Sequence, residues 1–295
     1  MMTHHAKQQI IEAVSRITKE DLAMISEEQR KIMYNGLATK GRLAADPEEC
    51  AKIDKQLETD PKNYYLWCAR AIVCGDIEQA IENYSQALSI RPFSPHTLYN
   101  RGRKLMGQGR FSQALSDFAL ATALDQEDGW KWHFQGVALY FLDRYEDAVE
   151  SFQRAIQAHN HINDPVVPFE VEWMWNCYMK LGRGEEAAGC LEQVTAETPC
   201  VDSEKTYKTR ILMYKGDMTA EDFLNTIDPE DVLETANQLY GVANFYYYLK
   251  GDTRTSVEYL HKVIALTEAK LCWGYKMALR DLPGRAEETC AESHS

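Results

Sequence analysis

Residues 61–94 read PKNYYLWCARAIVCGDIEQAIENYSQALSIRPFS, residues 95–128 read PHTLYNRGRKLMGQGRFSQALSDFALATALDQED, and residues 129–160 continue with GWKWHFQGVALYFLDRYEDAVESFQRAIQAHN. The segments align without a gap at a period of 34 residues. The positions that recur hold small residues or aromatic rings: Ala80, Ala114 and Ala148; Tyr84, Phe118 and Phe152; Ala87, Ala121 and Ala155. A fixed period of this length predicts a repeated supersecondary unit.

Each unit has the pattern of a helical hairpin. In the first unit, Tyr64, Cys68 and Ala71 recur at helical spacing before Gly75-Asp76 interrupts the chain. A second apolar stripe then runs to Arg91-Pro92. Neither helix can bury its stripe alone, so neighbouring hairpins must stack.

The pattern weakens toward both ends of the chain. We expect a helical extension over residues 1–60 that includes a degenerate repeat, and four repeats over residues 61–199. Within the fourth repeat the register resumes after a short insert at 161–165. Divergent repeats and a capping helix are expected over 200–282, and a disordered tail over 283–295.

These units resemble the tetratricopeptide repeat (TPR) family, whose spacing is kept over 61–199. The resemblance implies an all-α fold, a right-handed superhelix of helical hairpins. More loosely, residues 61–280 resemble the arrangement in NlpI-type bacterial lipoproteins, which are dimeric adaptors. This chain lacks their lipid-anchored cysteine and export segment.

In the tetratricopeptide repeat family, which this chain resembles, the first helix of each hairpin lines a concave groove. The sequence positions (slots) that match this lining are unusually aromatic here. Exposed aromatic side chains in a groove are typical of binding surfaces. The alternative is that another part of the chain, or a second copy, covers the groove. The residues predicted to line it are Tyr65, Tyr99, Asn100, Arg103, Trp130, His133, Phe134, Tyr140 and Trp173.

Some members of that family bind chaperone tails through a carboxylate clamp of lysine, asparagine and arginine. Only Asn100 matches that clamp. Its other slots hold Tyr65, Ala69, Trp130 and Phe134. The sequence therefore does not favour a reader of C-terminal carboxylates.

Composition narrows the kind of partner. The net charge is −13 and the chain has no basic run, which argues against nucleic acid and anionic membranes as partners. No stretch is apolar enough for a membrane-spanning helix, and the N-terminus lacks the apolar core of a signal peptide. The eight cysteines include no Cys-x-x-Cys pair, so we expect reduced packing residues in a cytoplasmic protein.

Motifs for catalysis are missing, and we expect neither an enzyme nor a cofactor. His159, His161 and Asp164 are the strongest metal candidates, but such pairs are common by chance, so no metal is predicted. The sequence favours an adaptor or scaffold that binds a protein or peptide segment. The alternative is a peptide-sensing regulatory protein.

We expect a homodimer, on the basis of the N-terminal segment. Ile10, Ile11, Val14 and Ile17 form an apolar stripe with no repeat to stack on. Small solenoids with apolar ends pair in this way.

Overall fold

A computed structural model describes residues 47–73, 75–161, 167–200 and 204–292. Every regular element in these ranges is helical, which confirms the all-α class. The predicted N-terminal stripe of Ile10 to Ile17 and most of the predicted insert lie outside the described residues.

The chain divides between Ile162 and Asn163 into two compact units. In unit 1, consecutive helices pack as antiparallel neighbours joined by short turns, as the hairpin pattern predicts. Its described helices are α1 (Pro47–Thr59), α2 (Tyr64–Val73), α3 (Ile77–Ile90), α4 (Pro95–Gly107), α5 (Phe111–Leu124), α6 (Gly129–Phe141) and α7 (Tyr145–His161).

Glycine and aromatic slots pack against each other inside the hairpins. A Cβ at Gly102 would stand 2.7 Å from Cε1 of Phe118, and one at Gly136 would stand 2.6 Å from Cε1 of Phe152. Both phenylalanines are fully buried. The recurring glycine therefore lets the two helices approach closely enough to bury a ring between them.

Local capping residues set the helix starts. The side chains of Asp76, Ser94 and Asp128 accept backbone hydrogen bonds at the starts of α3, α4 and α6. Asp60-Pro61 is a sequence typical of a helix start, but α2 begins at Tyr64. Asn63 caps this start, because its Oδ1 accepts hydrogen bonds from the backbone N–H groups of Tyr65 and Leu66.

Unit 2 holds the predicted fourth repeat and the divergent hairpins. Its described helices are α8 (Val167–Lys180), α9 (Gly184–Leu191), α10 (Lys205–Lys215), α11 (Ala220–Leu224), α12 (Val232–Asn244), α13 (Thr253–Ala265) and α14 (Trp273–Glu292). Helix α12 continues into a π-helical stretch, Phe245–Lys250. Helix α10 packs on α8 and α9, and α12, α13 and α14 pack together.

The end of the chain differs from the expected tail over 283–295. Helix α14 runs through Pro283 to Glu292. Arg285 explains the extension, because it is 3% exposed and donates hydrogen bonds to Ser256 and to Asn244, at 2.8 and 2.7 Å. A buried, paired guanidinium fixes the helix that carries it.

The described helices include none that is both long and apolar enough to cross a membrane.

Candidate peptide-binding face

The centre of the predicted groove is an aromatic cluster on α4 and α6. The Arg103 guanidinium lies 5.5 Å from the ring centroid of Tyr99 and 5.1 Å from that of Phe134. The two rings meet edge to face at 5.6 Å. Tyr99 and Arg103 share a face because they are one helical turn apart. The cluster stabilises the arginine through cation–π contacts while leaving it partly exposed.

Asn100 adds a polar group beside this cluster. Its Nδ2 donates to Nε2 of His96 at 2.9 Å, so the imidazole acts as the acceptor and is neutral. Burial, and to a smaller extent the nearby Lys131 ammonium, lowers the pKa of His96 to about 4. The amide oxygen of Asn100 accepts no hydrogen bond from the described part of the chain.

This histidine gives unit 1 a pH dependence. The folded-state pKa lies below the unfolded value near 6.5, so the unfolded chain binds the proton first as pH falls. The stabilisation is complete above about pH 6.5 and is lost as pH falls toward 4. In chemical denaturation between pH 7 and 4, we expect unfolding free energy to fall more steeply for the parent than for His96→Gln. An identical slope in both proteins would contradict the assignment.

Trp130 and His133 occupy different environments although both belong to α6. Trp130 is 37% exposed, whereas His133 is 1% exposed. The histidine ring lies between Phe134, at 5.1 Å, and Phe152, at 5.9 Å. Trp130 therefore presents an exposed indole surface, and His133 is a packing residue that supports Phe134.

The remaining predicted groove residues lie outside the α4–α6 cluster. The Tyr65 hydroxyl accepts a hydrogen bond from Nη1 of Arg91 at 3.0 Å, and its ring lies under the same guanidinium. Tyr140 is fully buried between Phe141 and Tyr145.

Trp173 belongs to unit 2, where it is 3% exposed and meets Trp273 at 6.4 Å. The described geometry thus brings together Tyr99, Asn100, Arg103 and Phe134, with Trp130 adjacent through His133.

Two cations beside the aromatic rings escaped the sequence analysis. Arg91 covers Tyr65, and Lys131 lies 5.8 Å from the Tyr99 ring while pairing with Asp125 at 2.9 Å. Each cation is distant in sequence from the ring that it contacts, so no local pattern indicates the contact, which depends on how the helices pack.

Unit 2 contains a buried polar network that sequence reasoning also missed. Glu172 accepts two hydrogen bonds from Arg210, both at 2.7 Å, and Glu234 lies 3.6 Å from the same guanidinium. Burial opposes the charge on Arg210, but the two carboxylates outweigh it and raise its pKa. Beside them lies a cavity of about 20 Å³, room for about one water molecule.

No group of three or more histidine, cysteine, aspartate or glutamate side chains within the described ranges is placed to hold a metal ion.

Comparison with known proteins identifies the repeats. The tetratricopeptide repeat family model matches residues 99–165, which confirms the repeat class predicted from the 34-residue period.

Two fungal proteins share part of this sequence. The chain is 33% identical over 86 residues to the heat-shock protein cognate (HSC) co-chaperone sgt12 of Aspergillus fumigatus. It is 31% identical over 88 residues to the small glutamine-rich tetratricopeptide repeat-containing protein 2 of Mycosarcoma maydis. The matches cover 29% and 30% of this chain, and 25% of each relative.

Among solved structures, a chain of the APC/C hetero-tetramer Cut9–Hcn1 has a TM-score of 0.54 and 15% identity. The match covers 95% of this chain and 52% of that one. At this identity the similarity shows a shared helical-repeat fold. The comparisons and the repeats together support a protein-interaction module.

Proposed function

We propose that this protein is a non-enzymatic adaptor that binds a peptide segment of a partner protein on unit 1. The binding surface is the first-helix face, formed by α4 and α6, which are the first helices of their hairpins. The observation that carries the proposal is the Arg103 cluster, in which a partly exposed guanidinium is held over Tyr99 and Phe134. Such a cluster offers a charged donor on a rigid aromatic base. Arginine and aromatic anchors of this kind dominate binding energy at protein interfaces.

Asn100 and Trp130 supply the other contacts that a peptide needs. The Asn100 amide oxygen is positioned to accept a hydrogen bond from a peptide N–H, because its Nδ2 already points to His96. Trp130 supplies an exposed indole at the first turn of α6. Arg103 supplies a fork that matches a carboxylate or a peptide carbonyl. The expected ligand is an extended segment with an acidic or carbonyl-rich stretch.

A chaperone-tail reader is the second candidate, because one relative is a heat-shock cognate co-chaperone. The side chains of this chain do not favour it. Tyr65, Trp130 and Phe134 occupy slots where a carboxylate clamp needs polar or basic groups, and Asn100 is bonded to His96. A peptide with a free C-terminal carboxylate and the same peptide with a C-terminal amide should therefore bind with similar affinity.

The remaining features of the proposal follow from composition and repeat class. A protein partner is favoured over nucleic acid or membrane because the net charge is −13. Cytoplasmic location, absence of catalysis and homodimerisation stay predictions. A short peptide that co-purifies from the native source, instead of a protein, would favour the peptide-sensing alternative.

Arg103→Ala and Phe134→Ala are expected to weaken partner capture without unfolding the protein. Each truncation should reduce affinity by roughly 5- to 150-fold, because about 1–3 kcal/mol of anchor contact is lost. The measurement is quantitative affinity capture from the native source, with melting temperature recorded in parallel. Ser116→Ala, an exposed change on α5, is the matched control.

If both groove variants capture the partner as well as the parent does, the proposed face is wrong. If both melt far below the parent, the residues belong to the core and do not report on binding.

A further inference from the structure

A second concave feature of unit 1 lies away from the proposed peptide-binding face. It is a cleft of about 470 Å³ among α1, α2 and α3. Trp67 of α2 lines it, and on a helix two residues separate Trp67 from Tyr65 by about 200°. The cleft therefore opens on the opposite side of α2 from Tyr65. Its lining includes Asp54, Glu58, Trp67, Arg70, Glu82 and Asn83.

The cleft has an excess of negative charge. Three carboxylates and one guanidinium line it. Arg70 is bonded to Asp54 at 2.5 Å, which leaves Glu58 and Glu82 on opposite walls. Neither of these two glutamates forms an ion pair with any residue of the described ranges. Both side chains are solvent-exposed, so both carboxylates remain available to a cation from outside the chain.

Asn83 gives an independent sign that the cleft is incomplete. Its side chain is 3% exposed, and its Oδ1 accepts a hydrogen bond from Nη1 of Arg70 at 3.0 Å. Its Nδ2 has no hydrogen-bond partner among the described residues. Buried amide donors are normally paired, so this one favours a ligand that brings an acceptor.

The next repeat shows what this position accepts. Asp117 lies 34 residues after Asn83 and is also buried. It receives two hydrogen bonds from Arg101, at 2.8 and 2.7 Å, and Arg101 also donates to Ser85 at 3.1 Å. The residue 34 positions before Arg101 is Trp67. In the first cleft Trp67 thus occupies the position of Arg101, and Arg70 supplies the guanidinium that bonds Oδ1 of Asn83.

We propose that this cleft binds an arginine residue of a partner polypeptide. The guanidinium lies between the Glu58 and Glu82 carboxylates, over the Trp67 indole, and the backbone carbonyl of that residue accepts the hydrogen bond from Nδ2 of Asn83. Two separated carboxylates suit the planar fork of arginine, and the indole face adds a cation–π contact. This is a second binding site, beyond the proposed peptide-binding face.

The test uses the full chain and two defined peptides. Acetyl-Gly-Arg-Gly-amide is titrated while the Trp67 indole N–H signal is followed by NMR and assigned with Trp67→Phe. The matched probe carries citrulline, which keeps the planar shape without the charge. We expect saturable movement of the Trp67 signal with the arginine peptide, and at least about 10-fold weaker binding of the citrulline peptide.

Glu58→Gln combined with Glu82→Gln should weaken the arginine peptide by a similar factor. Glu78→Gln, on α3 one turn before Glu82 and outside the cleft, should leave binding within about twofold of the parent. The proposal is overturned if the Trp67 signal does not move with the arginine peptide. Equal affinity for both peptides, or equal affinity of the double variant and the parent, also overturns it.

Discussion

Replacing Glu172 by leucine is expected to destabilise unit 2 by about 3–5 kcal/mol. The change removes both hydrogen bonds to Arg210 and leaves that guanidinium 3% exposed, with Glu234, at 3.6 Å, as its one remaining carboxylate neighbour among the described residues. An unpaired buried charge costs far more than the pair itself contributes. Urea denaturation followed by far-ultraviolet circular dichroism gives the measurement.

The double variant Glu172→Leu with Arg210→Met serves as the diagnostic control for this prediction. Because it removes the stranded charge, it should recover much of the lost unfolding free energy. Glu185→Gln, an exposed change on α9, should alter stability by less than about 0.5 kcal/mol. A double variant less stable than Glu172→Leu would show that the pair does not explain the loss.

Replacing Phe152 by alanine is expected to destabilise unit 1 by about 3–5 kcal/mol. The ring is fully buried, and it fills the space next to Gly136, where a Cβ would stand 2.6 Å from it. It also supports His133, whose ring lies 5.9 Å away. The truncation therefore leaves a cavity between α6 and α7. Gly136, which faces the ring, has no side chain to fill it.

Phe93→Ala is the matched control for this second prediction, since the Phe93 side chain is 53% exposed. It should cost less than about 1 kcal/mol in the same denaturation experiment. If the two variants lose similar amounts of unfolding free energy, the Phe152 ring does not make the packing contribution assigned to it.

The sequence was most informative where one residue type recurs with a fixed geometric role. Gly102 and Gly136 with Phe118 and Phe152 could be predicted, because the period places each glycine opposite each ring. The terminal boundary at 283 could not. It depends on contacts of Arg285 with residues about 30 to 40 positions earlier, which no local pattern reveals.

The candidate site was predictable in its location on the first helices, but not in its exposure. Tyr99 and Arg103 contact Phe134, as the slot assignment implied. Tyr99, His133 and Tyr140 are nevertheless buried, because the aromatic residues also fill the interior of the hairpins. Slot position fixes a direction around the helix, whereas burial depends on how closely the neighbours approach.

The measurement that tests the central claim most directly is site-specific photocrosslinking to the captured partner. A photoreactive phenylalanine is placed at Trp130 of α6, or at Leu120 of α5 as the control. The two side chains are equally exposed, at 37% and 36%, but lie on different helices of the repeat. We predict partner crosslinks from position 130 and none from position 120, whereas crosslinks from position 120 alone would contradict binding on the first-helix face.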